Sequence, residues 1–267
     1  MKLGINTALF KKFDFSEAAE LITNAGYDGL EICAIADMCE HLDVSKWKSQ
    51  KKDILEALEK NSLELLSCEV ASLDRSRLLC AFEAAAEMGI PIINVGSGGK
   101  TDAPGDFEHS VETLGGLSFL AAQYGVTLCF KPHVDAAIYN TATAKEAMRK
   151  AQSPNLGIDF DTSHIGYANE NPEDAIAQML TWVRHVHLRD YRRSDPFPGD
   201  AVGQTCGRGE MNIFGFLEKL EEASYGGPVC LEIIGDVASR DKAVAIAAES
   251  RGYLRACLQR MQAIKGR

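Results

Sequence analysis

The chain has 267 residues, of which 46% are hydrophobic and 25% charged, and a formal net charge of −10. It is long for one ordinary domain and apolar enough to bury a full core. The acidic balance excludes a nucleic-acid groove and an anionic membrane surface as partners, since both need basic patches, and no apolar run approaches the roughly 18 residues of a membrane span.

From the N-terminus, "LGINTALF" (3–10) is the first of eight apolar runs. It is too short, and broken by Asn6 and Thr7, to be a secretion signal. "SEAAELITNA" has helical spacing and precedes "GLEIC" (29–33); "DILEALEKN" precedes "LELLSCEV" (63–70). "LLCAFEAAAEM" leads to "PIINVG" (91–96), and "VETLGGLSFLAAQY" to "VTLCF" (126–130). "NLGIDF" (155–160), "VRHVHL" (183–188) and "PVCLEII" (228–234) follow, with the helical "IFGFLEKLEEA" between the last two. Gly26, Gly89 and Gly125 each close a helix directly before a strand, a left-handed position that suits glycine. "AGYDGLEI" (25–32) is echoed by "SYGGPVCLEI" (224–233), a weak repeat of one helix-to-strand corner.

Successive strands start roughly 30 residues apart, one strand–helix unit each. The alternation implies a parallel sheet, and the nearly continuous apolar runs imply cover on both faces. Eight such units close into a (β/α)8 TIM barrel. A doubly wound open sheet is the alternative, weakened by the lack of GxGxxG after the first strand. No linker or low-complexity tract interrupts residues 1–267, which are read as a single barrel domain. The eight cysteines form no CxxC pair, and Cys33, Cys68, Cys129 and Cys230 fall inside strands. Such small apolar fillers suit a reduced compartment, so the chain is read as cytoplasmic. The longest gap, 189–211, follows the seventh strand, where barrel loops face the active site.

Reacting groups of a barrel sit at the C-terminal ends of its strands. There the sequence places Glu31, Glu69, Lys131 and His133, then Asp159, Asp161 and His164 ("DFDTSH"). His185, His187 and Asp190 ("HVHLRD") and Glu232 complete the set, which holds four of the six histidines. Taken singly, each reads more readily as an ion-pair partner, a core histidine or a helix cap, and Glu31 and Glu69 are kept only as supporting candidates. Asp161, His187 and Glu232 on three consecutive strands point instead to a shared metal site. Oxygen and imidazole ligands suit Mn²⁺, Co²⁺, Mg²⁺ or Zn²⁺.

The order "KPH", "DFDTSH", "HVHLRD", "GPVCLE" resembles the sugar isomerase/epimerase family with the xylose isomerase-like barrel, over essentially the whole chain. The resemblance implies a divalent metal held by Glu, Asp, His and Glu from strands five to eight. Carried over, it implies Asp161, His187 and Glu232 as ligands, with His164 and Arg193 contacting substrate. The chain departs from the pattern at strand five, where Lys131 replaces the glutamate. An ammonium cannot ligate a metal; His133, two residues on and on the same side of an extended strand, is the candidate replacement ligand or a substrate contact. The resemblance also implies two opposed glutamates as acid and base, of which only Glu232 remains.

These readings give a metal-dependent enzyme acting on a keto or aldehydo sugar, sugar phosphate or cyclitol, with Lys131, Glu232 and His164 catalytic. A base removes the proton α to the carbonyl. Reprotonation of the enediolate then gives isomerisation or epimerisation. Loss of a β-hydroxyl gives dehydration, as in inosose dehydratases, which resemble this family in fold. Isomerase or epimerase stands first, dehydratase or lyase second, and a non-catalytic sugar-binding barrel third. The partner expected is a small molecule, and a homo-oligomer is compatible with the sequence. Burial and a neighbouring cation are expected to lower the Lys131 pKa, leaving a share of neutral amine as base. Arg193 and Arg208 are expected to orient substrate, with Gly207 and Gly209 letting backbone amides approach it. His185 is expected to be core.

Overall fold

The computed structural model describes residues 1–266. Its strands are β1 (Lys2–Asn6), β2 (Gly29–Ile35), β3 (Cys39–Glu40), β4 (Glu64–Glu69), β5 (Ile92–Gly96), β6 (Thr127–Lys131), β7 (Leu156–Asp161), β8 (Val183–Leu188) and β9 (Pro228–Leu231). All but β3 coincide with the eight apolar runs. The eight lie parallel in the order β1-β9-β8-β7-β6-β5-β4-β2, and β2 pairs back onto β1 through Ile5↔Leu30. That pairing closes the sheet, so the open-sheet alternative is not realised. β3 lies antiparallel to β2 beyond the barrel rim, Ile35 facing Cys39.

The helices are α1 (Phe15–Asn24), α2 (Trp47–Asn61), α3 (Arg75–Met88), α4 (Asp106–Gln123), α5 (Thr141–Ala151), α6 (Thr162–Tyr167), α7 (Pro172–Met179), α8 (Ile213–Glu222) and α9 (Arg240–Lys265). α1 shows why they form where they do. Phe15, Ala18, Ala19 and Ile22 give it a buried stripe at helical spacing, and the Asp14 carboxylate accepts from Glu17 N at 2.8 Å. Such a cap contributes about 1 kcal/mol. Gly26, Gly89 and Gly125 have φ of 89°, 75° and 71°, the left-handed stops expected of them. Ser62 closes α2 at φ 54° without glycine, so nothing in its residue type marked it. No helix among the described residues is long and apolar enough to cross a membrane.

Strand alternation sorts two environments. Phe130, Phe160, Val186 and Leu231 are fully buried in the main apolar core. Their neighbours along each strand point the other way, into the barrel, and are polar: Lys131, Asp159, Asp161, His185, His187 and Glu232 are all buried. Barrel interiors are ordinarily filled with branched apolar side chains. Buried ionisable groups are costly unless paired, so this interior is where function is to be sought.

Candidate active site

The interior forms one polar column. At its base the His185 imidazole meets Ser67 Oγ at 2.9 Å and Asp159 Oδ1 at 2.9 Å. One level up, Asn6 Nδ2 donates to both Glu31 and Glu69, at 2.7 Å each, while Asn94 Nδ2 donates to Glu31 at 2.6 Å. His187 Nε2 is hydrogen bonded to Glu31, and its Nδ1 lies 3.0 Å from Asp159 Oδ2. At the top, Lys131 Nζ donates to Glu69 at 2.9 Å and Glu232 at 3.0 Å, with Asp161 Oδ2 at 3.6 Å and Asp159 Oδ2 at 3.9 Å.

Above Lys131 opens a cavity of about 250 Å³. Glu69, Lys131, Arg189 and Glu232 line it together with His133 and His164, and its other walls include Met38, Val95, Phe197 and Ile234. Asp161 ends β7 and also caps α6. Its Oδ1 accepts from Ser163 N at 2.8 Å and His164 N at 3.3 Å, which leaves Oδ2 for the column. The guanidinium of Arg189, the first residue after β8, lies 3.2 Å from Asp161 Oδ2 and 3.4 Å from Glu232 Oε2. Ser163 Oγ accepts from its Nε at 2.7 Å. His133 and His164 lie ring against ring, centroids 3.8 Å apart, with Phe197 4.7 Å from His164. His164 Nδ1 accepts from Val134 N at 3.2 Å, which places any ring proton on Nε2. A larger groove of about 720 Å³ lies beside Phe13, His41 and Lys60, but none of the column residues lines it.

The electrostatics separate these groups. Burial alone would raise the Glu232 carboxyl, but Lys131, His187 and Arg189 hold it well below its usual range. Burial likewise opposes Asp161, which Arg189, His164 and Lys131 bring down to about 2. Glu69 goes the other way: burial and the Glu232 charge push it up to about 8, against the pull of Lys131. Burial keeps His164 and His133 below the ordinary imidazole value.

Residues 19–257 match the family of the xylose isomerase-like TIM barrel. The chain belongs to that family. Among curated relatives it is 25% identical, over 252 residues, to a 3-dehydroshikimate dehydratase of Pseudomonas putida. That match covers 82% of this chain but 36% of the relative, so the chain spans about a third of that protein's length. Among solved structures, the 3-keto-D-glucoside 4-epimerase of E. coli superposes with a TM-score of 0.76 at 20% identity, covering 96% of this chain and all (100%) of that one. An IolI protein with a bound zinc atom superposes at 0.77 and 18% identity, over 94% of this chain and 96% of that one. At such identities the superpositions show the fold.

Within this xylose isomerase-like barrel, Asp161, His187 and Glu232 bring ligand-type atoms within 4.8 Å of one another, a group that could hold a metal ion. His187 Nδ1 and Glu232 Oε2 make no hydrogen bond, which would suit an ion. The rest of the arrangement does not. Lys131 Nζ stands 3.0 and 3.6 Å from the two carboxylates of the group, and Arg189 reaches both from the other side. With both cations seated there, the residues as arranged do not fit a divalent ion. His133 does not complete a ligand set. Its Nδ1 is turned onto Val134 O at 2.6 Å, and its ring packs on His164.

Other expectations need correction. Burial does disfavour the Lys131 ammonium, but Glu232, Glu69, Asp159 and Asp161 outweigh it and raise the pKa well above the ordinary lysine value. Lys131 is therefore an ammonium, not the neutral-amine base that the sequence suggests. Arg193 does not reach the cavity: it donates to Gly166 O and Glu170 O, 3.2 Å each, on the outer side of the loop. Arg208 is exposed and paired with Glu249 at 2.6 Å. Gly207 N and Gly209 N donate not to a ligand but to Asp190 Oδ2, at 2.9 Å each. A Cβ on Gly209 would stand 2.1 Å from Asp190 Oδ1, so the loop folds around that carboxylate. Asp190 thus organises the loop, and Arg189 is the arginine that enters the cavity. Glu69, kept only as a supporting candidate, stands on the cavity floor.

Glu69 gives a pH prediction. Its carboxyl titrates near 4.5 as a free side chain and near 8 when folded. The folded chain therefore keeps a proton that the unfolded chain releases between those values. That contribution to stability is complete below about pH 4.5 and is lost as pH rises to 8. Glu69→Gln should flatten this decline: urea unfolding should show the variant gaining on the parent between pH 5 and pH 8. An unchanged difference across that range would mean that Glu69 is ionised in the folded chain throughout.

Proposed function

We propose that the protein is an isomerase or epimerase of an unphosphorylated keto or aldehydo sugar or cyclitol, working by proton transfer α to the carbonyl. The observation that carries this reading is the pair Glu69 and Glu232, joined through Lys131 on the cavity floor with their acidities driven apart. Two carboxyls tuned in opposite directions supply an acid and a base at one pH. Glu232, kept ionised, takes the α-proton. The enediolate oxygen that forms is stabilised by the Lys131 ammonium and the Arg189 guanidinium, fixed donors in a buried site. Glu69, protonated at neutral pH, returns a proton to the neighbouring carbon or to the opposite face, and neutral His164 is placed to hydrogen bond a substrate hydroxyl from above. The second glutamate missing from strand five is thus supplied by β4.

The preference for an uncharged substrate follows from the lining. Lys131 and Arg189 are the lysine and arginine of the cavity wall, and both are already paired with carboxylates. No spare cation there answers a phosphate. Dehydration is the second reading, favoured by the likeness to a 3-dehydroshikimate dehydratase: the Glu69 proton would then go to a departing β-hydroxyl. The test is incubation with a panel of ketoses, aldoses and cyclic polyhydroxy ketones, followed by chromatography and ultraviolet absorbance. A new stereoisomer without absorbance is expected, whereas an absorbing enone would establish elimination. Turnover of phosphorylated sugars alone would overturn the substrate class.

A further inference from the structure

We infer that Lys131 is this barrel's own resident cation, standing among the residues that the family resemblance implies as ligands of a divalent ion, and that the protein works without bound metal. The inference rests on the proposed reading of the cavity as the reaction site, and its grounds are geometric. Nζ is buried within 4.0 Å of four carboxylates from three strand ends: Glu69 of β4, Asp159 and Asp161 of β7, and Glu232 just past β9. Two of these belong to the group that could otherwise bind an ion. A divalent ion must approach its oxygen and nitrogen donors to about 2.0–2.2 Å. The space between Asp161 Oδ2 and Glu232 Oε1 is instead spanned by Nζ.

Several of the remaining donor atoms are committed as well, His187 Nδ1 and Glu232 Oε2 being the exceptions. Asp161 Oδ1 is used by Ser163 and His164, and its Oδ2 meets Arg189. His187 Nε2 is held by Glu31. Charge leads to the same conclusion: the carboxylates of Asp161 and Glu232 already face the two cationic heads of Lys131 and Arg189. A divalent ion placed between these two carboxylates would stand directly beside two fixed cations in a buried site, which is unfavourable. In chemical terms, a lysine head offers a carbonyl oxygen what a metal offers, a fixed positive charge, while adding protons that hydrogen bond.

The test is a metal-binding series that needs no substrate. Wild type purified without chelator is assayed for bound metal, and then Zn²⁺ and Mn²⁺ are titrated against a competing fluorescent chelator. Lys131→Met and Lys131→Glu are treated identically, with circular dichroism confirming their fold. The expected order of affinity is wild type weakest, Lys131→Met intermediate, and Lys131→Glu tightest by about 100-fold or more. The gain should disappear in Lys131→Glu/His187→Ala. Stoichiometric metal in the wild type, lost in Asp161→Asn, would overturn the inference. So would folded Lys131→Met and Lys131→Glu proteins binding no better than wild type. Absence of sugar turnover with this binding order intact would refute the proposed reaction and leave the cation assignment standing.

Discussion

Replacing Lys131 with methionine should remove most turnover and leave a folded but weakened barrel. The substitution keeps an unbranched apolar stem one atom shorter and deletes the charge shared by Glu69 and Glu232. Loss of one preorganised donor at a developing oxyanion typically costs about 10²–10³ in kcat. Removing one partner of a buried ion pair costs on the order of 3–5 kcal/mol, because the other charge is left uncompensated. Arg189 still reaches Glu232 and Asp161 from the other side, which places the expected stability loss toward the lower end. Steady-state kinetics on the substrate found in the panel, with urea unfolding at pH 7, measures both effects. Near-normal kcat with lowered stability would reduce Lys131 to a structural ion pair.

Glu232→Gln should have the larger effect on rate. The amide preserves shape and still accepts from Lys131, but it cannot take a proton. General-base catalysis is worth about 10²–10⁴, so kcat should fall by that factor while KM changes little. Glu232→Asp, which keeps the carboxylate and withdraws it by one methylene, should recover part of the rate. Glu232→Gln should also lower the Glu69 pKa, since the Glu232 charge is, after burial, the largest influence raising it. The basic limb of any residual pH–rate profile should therefore move to lower pH. A variant with full activity and an unshifted profile would assign the base elsewhere.

The barrel was legible because its signals are local. Apolar runs at even spacing and glycines at helix ends depend on residues within one strand–helix unit. Asp161, His187 and Glu232 were legible too, since alternate positions at strand ends must face inward together. What escaped notice depends on several strands at once. The charge on Lys131 is fixed by carboxylates from β4, β7 and β9, and no single motif shows that they converge. Glu69 and Arg189 each look like ordinary strand-end ion-pair partners until the barrel closes around them. Arg193 and Arg208 were misassigned for the opposite reason: the loop holding them folds inward on Asp190, turning its glycine amides to that carboxylate and both arginines outward.

The central claim is proton transfer at carbon by Glu232, answered by Glu69. It is tested most directly by running the reaction in D₂O and following the substrate's α-hydrogen by proton NMR. The account predicts that wild type exchanges that hydrogen for solvent deuterium, and that folded Glu232→Gln exchanges it at least about 100-fold more slowly. Equal exchange by the two proteins, or turnover by wild type with no deuterium at carbon, would contradict it.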